Sequence, residues 1–138
     1  MTTLLFGGTA RATYPEKPIW WIVPYPVGGS ADVVSRILAK RLSERSRQNI
    51  LIDNKPGATG AVGAGFVARA APDGYTVLYQ GFDLTINPLV RQLPFDPLKE
   101  LIPVTQVSNM WEIIVAPADA PYNTFVEFVD YARKNPDK

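Results

Sequence analysis

The stretch IWWIVPYPVGGSAD, residues 19–32, decides the fold that the sequence predicts. Its first five residues form an apolar run that is typical of a buried strand. Pro24 and Pro26 end this strand sharply, because proline cannot continue a central strand. Two glycines then turn the chain into a helix for which Ser30 is a suitable N-cap.

A glycine-rich loop of this kind leaves the first amides of the following helix without helical partners. These amides and the helix dipole favour an anion above the carboxyl end of the strand. The loop therefore predicts an anion-binding site. Most strand–loop–helix turns bind nothing, however, so the motif alone leaves a purely structural role open.

The same order of elements continues along the chain. Apolar runs, turn residues and helical spacing predict a helix over 31–45, a strand over 49–53, a second helix from 57 to about 71, and a strand over 75–79. This β-α-β-α-β order indicates a parallel sheet with right-handed crossovers. Ligands of such sheets bind outside the carboxyl ends of the strands, where all three loops would lie together.

Helical spacing also predicts which side chains pack inward. Those of the first helix are Val34, Ile37, Leu38 and Leu42, and those of the second are Phe66, Val67 and Ala70. Further on, Met110–Val115 is predicted to form another strand. Thr124 is predicted to cap a helix from Phe125 to about Lys134.

The composition excludes several kinds of function. Fourteen basic residues balance 13 acidic ones, and the net charge of +1 does not favour nucleic acid as a partner. The 138 residues include no Cys and no His, so thiolate or imidazole metal sites, Cys nucleophiles and His-based triads are excluded. We therefore predict no metal site, no catalytic residue and no cofactor.

Gly57, Gly60 and Gly63 superficially match a dinucleotide-binding fingerprint. Their spacing is G-x-x-G-x-x-G, the acid expected about 20 residues further on is missing, and no Walker lysine occurs. A nucleotide-binding α/β enzyme domain therefore stays as an alternative function. A further alternative is a module without ligand that self-associates through the apolar strand at 110–115.

Residues 1–12 are interpreted as a truncated export signal, and the alternative is a flexible leader. A short apolar patch is followed by Ala10-Arg11-Ala12, a small-x-small pattern of the kind that precedes a signal-peptidase site.

Several separated motifs carry a family resemblance. They are YPEKPI at 14–19, VPYP-x-GG-x-x-D at 23–32, DNKPGA-x-G at 53–60, APDGYT at 71–76, NP at 87–88 and LPFDP at 93–97. In this order they resemble the substrate-binding receptors of tripartite tricarboxylate transporters, also called Bug-type receptors. The similarity covers residues 14–138.

The resemblance implies a type II periplasmic-binding-protein clamshell, a two-domain α/β fold. Such a receptor captures a small carboxylate-bearing solute in the periplasm, delivers it to membrane permease subunits and catalyses no reaction. Carried onto this chain, the implied ligand-binding residues are Tyr25, Gly28, Gly29, Ser30, Ala31 and Asp32, with Ala58, Thr59 and Gly60 opposite. The resemblance further implies that Asp32 orders the loop and water, because a carboxylate repels another carboxylate.

The third loop adds Gly81 and Asp83 to the predicted site. One hypothesis is that Asp83 pairs with a ligand ammonium or disfavours a second carboxylate, and the alternative is a solvated loop acid. Family members are considerably longer than 138 residues. We therefore expect a fragment with an incomplete cleft, in which 13–106 form an incomplete first lobe and 107–138 begin the second lobe.

Overall fold

The computed structural model describes residues 14–111 and 113–136. The chain divides into two compact units between Pro103 and Val104, and each unit is described by itself. The predicted export signal at 1–12 lies outside the described residues. Among the described residues, no helix combines the length and apolar character that a membrane crossing requires.

The first unit is built on a parallel sheet of three strands. These are β1 (Ile19–Val23), β2 (Ile50–Asn54) and β3 (Thr76–Leu78), in the order β2-β1-β3. Trp21 pairs with Ile52 on one side and with Val77 on the other. The predicted parallel α/β architecture is therefore confirmed, and the carboxyl ends of all three strands lie at one edge of the sheet.

Four helices and one short turn accompany the sheet in residues 14–103 of the first unit. The helices are α1 (Ser30–Ser46), α2 (Ala61–Ala68), α3 (Asp83–Val90) and α4 (Pro97–Glu100), and a 3₁₀ turn at Ala58–Gly60 precedes α2. The helix of the second unit is α5 (Phe125–Lys134).

Helix α1 is rotated away from its predicted orientation. Ile37 is 60% exposed and Leu42 is also exposed, while Val34 and Leu38 are only half-buried. The buried residues of α1 are instead Asp32, Ser35 and Ala39. Polar contacts fix this rotation: the Trp21 indole donates to Ser35 at 3.2 Å, and Asp32 is bonded to the preceding loop and to β2. The predicted Ser30 cap is also wrong, because Ser30 is the first helical residue and the N-cap is Gly29.

Helix α2 lies close to the first loop through its small residues. Gly63, Ala64 and Gly65 are buried, whereas Phe66, predicted to pack inward, is exposed. A Cβ placed on Gly63 would lie 2.7 Å from Cβ of Pro24, so only glycine permits this approach. The Phe66 ring instead lies under the Lys55 ammonium, whose Nζ is 4.4 Å from the ring centroid.

Helix α3 was not predicted. The sequence indicated a loop that includes Asp83, and no helical spacing was recognised before the irregular chain that follows Asn87-Pro88. Pro88 lies inside α3, two residues before its end. Pro88 has no N–H, so α3 lacks the helical hydrogen bond to the Leu84 carbonyl, and helical spacing with a proline inside is a weak sequence signal for a helix.

In the second unit, the prediction for α5 is confirmed and the prediction of a strand over Met110–Val115 is wrong. The Thr124 hydroxyl accepts from the amide of Glu127, and the Glu127 carboxylate accepts from the amide of Thr124, which forms a capping box. The described residues of 110–115 have no strand partner and are exposed within their own unit; Glu112 is not described. Strand propensity alone is insufficient, because the backbone groups of a strand need a neighbouring strand.

Candidate functional site

The first loop folds back on the helix that follows it. The Gly28 amide donates to the carboxylate of Asp32 at 2.9 Å, and the Gly29 amide is 3.4 Å from the Pro26 carbonyl oxygen. Gly28 adopts φ +84°, a left-handed conformation that favours glycine. Two of the amides predicted to bind a ligand are thus used within the loop itself.

Asp32 holds this loop in place. Arg36 donates to both carboxylate oxygens of Asp32 at 3.0 Å, and the Asn54 side-chain amide donates to Oδ1 at 3.0 Å. With the Gly28 amide, these contacts use the roughly four acceptor positions of a carboxylate. The Arg36 guanidinium, followed by the Gly28 amide, lowers the pKa of Asp32 to about 2 against the opposing effect of desolvation. Asp32 is therefore an ionised, fully bonded anchor of the first loop.

The start of α1 keeps free donors. The backbone amides of Ser30, Ala31 and Asp32 have no hydrogen-bond partner among the described residues, because the first helical bond runs from the Val33 amide to the Gly29 carbonyl at 3.0 Å. These amides lie at the positive end of a 17-residue helix. Ser30 and Ala31 are thus the predicted site residues with the clearest capacity to bind an anion.

The second loop adopts a strained left-handed turn. The φ angles of Ala58, Thr59 and Gly60 are 48°, 53° and 83°. A positive φ is unfavourable for a β-branched residue such as Thr59. The buried side chain of Asn87 donates to the Thr59 carbonyl at 2.8 Å, and Arg91 donates to its hydroxyl at 3.3 Å. Helix α3, which the sequence did not predict, therefore supports the second predicted half of the site.

Tyr25 connects the first loop to the third. Its hydroxyl donates to Asp83 Oδ2 at 2.6 Å and accepts from the Gly81 amide at 3.1 Å. Burial, followed by the hydrogen bond to Asp83, raises the pKa of Tyr25 to about 12. The Tyr25 carbonyl also accepts from Asn54 at 3.1 Å. The first loop is thus joined both to the end of β2 and to the loop after β3.

Gln80 was not among the predicted site residues. A Cβ placed on Gly60 would lie 2.5 Å from its Nε2, so the Gln80 side chain packs against the second loop. Its Nε2 and Oε1 are both buried without a hydrogen-bond partner in the described chain. Asn54 was missed as well. The position of each residue at the carboxyl end of a parallel strand is the signal that could have identified it.

The structure therefore brings the three predicted loops together at one edge of the sheet. The arrangement offers backbone amides to an anion. Among the described residues, no group of three His, Cys, Asp or Glu side chains could hold a metal ion.

Comparison with known proteins identifies the family. The model of the tripartite tricarboxylate transporter family receptor matches residues 34–138. The UPF0065 protein from the tcbD-tcbE intergenic region of Pseudomonas sp. (strain P51) is 31% identical over 139 residues. That alignment covers 100% of this chain and 41% of the relative, so the chain spans about two fifths of that relative's length.

Solved structures agree with this result. A periplasmic transporter superposes with a TM-score of 0.71 at 38% identity, covering 88% of this chain and 42% of that protein. Rpa4515 of R. palustris, solved with adipate, superposes with a TM-score of 0.64 at 30% identity, again covering 88% and 42%.

Proposed function

This chain belongs to the tripartite tricarboxylate transporter family of receptors, and on that premise we propose that it captures a small carboxylate-bearing solute. We further propose that it works in the periplasm and delivers the solute to the membrane permease subunits of a transporter. Rpa4515, a structural neighbour, was solved with adipate, a dicarboxylate, which supports this class of ligand.

The observation that carries the proposal is the pair of free amides at the start of α1. The Ser30 and Ala31 amides have no partner among the described residues, and they lie where parallel α/β sheets bind ligands. In the proposed complex these amides donate to a ligand carboxylate. The other predicted site residues complete or support the cleft: Tyr25, Gly28, Gly29, Asp32, Ala58, Thr59, Gly60, Gly81 and Asp83.

Receptors of this family bind solutes, and we assign the chain no catalytic role. The nucleotide-binding alternative gains no support, because the glycine-rich segment at 57–65 forms the strained 3₁₀ turn and the start of α2. Self-association through 110–115 likewise lacks the strand on which it depended.

Thermal unfolding of the 138-residue chain with a panel of three- to six-carbon mono- and dicarboxylates tests the proposal. A ligand present at 100 times its Kd stabilises the native state by about 2.7 kcal/mol, so a binding acid raises Tm clearly. Chloride at matched ionic strength is the control. A Tm that no carboxylate raises above the chloride control would refute the proposed function.

Two variants of Ser30 separate the roles of amide and hydroxyl. Ser30→Pro removes one amide donor but suits the fold, because proline is favoured at the first helical position and Gly29 already has the extended ψ of 167° that a residue before proline prefers. Ser30→Ala removes the hydroxyl and keeps the amide. We expect Ser30→Pro to weaken carboxylate binding about tenfold more than Ser30→Ala, because a hydrogen bond to a charged group contributes roughly 1.5–3 kcal/mol.

A further inference from the structure

We propose that Asp83 makes this receptor selective for acids that also carry a cationic nitrogen, and against acids with a second carboxylate. The inference rests on the proposed function, since it concerns the second pole of the same ligand. It follows from how charge is distributed among the aspartates of the first unit.

Four of the five aspartates in residues 14–103 lie next to a cationic side chain, and Asp83 is the exception within this described range. The shortest separations between the charged atoms are 2.8–3.1 Å. The pairs are Asp32 with Arg36, Asp53 with Lys55, Asp73 with Lys17, and Asp96 with Lys99.

The partner of Asp83 is a neutral phenol. The Tyr25 hydroxyl accepts from the Gly81 amide, so its proton is directed to Asp83 Oδ2, 2.6 Å away. This bond orients the carboxylate but brings no cationic side chain to it. Oδ1 of Asp83 accepts no hydrogen bond from the described residues. A half-buried anion is therefore fixed at the junction of the first and third loops.

A ligand whose carboxylate binds the α1 amides presents its other end to the remaining loops of the cleft. An ammonium near Asp83 would gain a charge-assisted contact, whereas a second carboxylate would be repelled. For a partly solvated site we expect roughly a tenfold difference in affinity between matched ligands.

Asp83 also lies in the first turn of α3, where an acid stabilises the helix dipole. If this were its whole role, Asp83→Asn would lower stability and leave ligand preference unchanged. Ligand preference therefore separates the two roles, and stability alone does not.

The experiment measures Kd by calorimetry on the 138-residue chain. For each backbone length from three to six carbons, it compares an ω-amino acid, the dicarboxylic acid and the unsubstituted monocarboxylic acid. The variants are Asp83→Asn and Glu44→Gln. Glu44 is the matched control: it is exposed, lies 3.5 Å from Arg41 and stands about 20 Å along α1 from the first turn.

We expect the wild-type chain to bind the ω-amino acid about tenfold more tightly than the dicarboxylic acid of the same length. Asp83→Asn should abolish this ratio, while Glu44→Gln, which keeps the Asp83 charge, should preserve it. A wild-type preference for dicarboxylic acids, or an unchanged ratio in Asp83→Asn, would overturn the inference while leaving carboxylate capture intact. Failure of every acid to bind would refute the proposed function and the inference with it.

Discussion

Gly63→Ala should destabilise the first unit, because the added methyl group has no room. Its Cβ would lie 2.7 Å from Cβ of Pro24 and 3.1 Å from the carbonyl oxygen of Lys55. Ordinary carbon–carbon contacts are about 3.5–4.0 Å, so the first distance is about 1 Å too short. Both neighbours are rigid, one a proline ring and the other backbone. We therefore expect an overpacking cost near the upper end of the range, about 3 kcal/mol.

The gain in helix propensity from glycine to alanine offsets about 1 kcal/mol of this cost. Urea unfolding should therefore show a loss of about 2 kcal/mol with an unchanged m-value. Gly65→Ala is the matched control, because its Cβ would come no closer than 3.3 Å to its neighbours, which are side-chain atoms of Arg69 and Phe95 and not backbone. We expect that variant to stay within about 0.5 kcal/mol of wild type. Equal stability of the two variants would refute the close packing of α2 on the first loop.

Three further predictions concern polar groups. Because the pKa of Asp32 is lowered to about 2, the ionised carboxylate stabilises the fold above about pH 4, and this stabilisation is lost as the pH falls toward 2. Asp32→Asn should therefore make the free energy of unfolding less dependent on pH between about 4 and 2. An unchanged pH dependence in this variant would contradict the hydrogen bonds assigned to Asp32. Gln80→Leu should raise the free energy of unfolding by about 1 kcal/mol in urea titrations, since it removes the buried Nε2 and Oε1 atoms, which have no described hydrogen-bond partner. A loss of stability would show that these two atoms are hydrogen-bonded in the native protein. Thr124→Ala should cost about 1 kcal/mol by removing the capping box and should reduce helicity by circular dichroism, whereas unchanged helicity would mean that α5 does not need its cap.

The strands of the first unit were predictable because their sequence signals are local. The apolar run at 19–23 is closed by Pro24, and the run before Tyr79 follows a Pro-Asp-Gly turn. The parallel order then places the three loops at one edge of the sheet. The convergence of the loops was thus accessible from sequence, and contacts such as that between Tyr25 and Gly81 confirm it.

The rotation of α1 was not predictable from apolar spacing. Periodicity assumes that apolar side chains determine the buried face, yet Asp32 and Ser35 are buried and Ile37 is exposed. The energy of a buried carboxylate depends on partners such as Asn54, which is 22 residues away from Asp32 in sequence. The predicted strand at 110–115 did not form for a similar reason: a strand needs a neighbouring strand, and local propensity cannot show whether one is present.

The charges around the loops suggest why an anion can bind so close to an aspartate. Asp32 lies in the first turn of α1, beside the free amides of Ser30 and Ala31, and its negative charge would repel an incoming carboxylate. Arg36 compensates this charge at 3.0 Å, so the anchored first loop presents donors with little net charge. Among the described residues, no cationic side chain pairs with Asp83, whose hydrogen-bond partner is Tyr25. We therefore expect the free amides of α1 to favour an anion and the Asp83 carboxylate to favour a cation, so a ligand with both charges would satisfy the two ends of the proposed cleft.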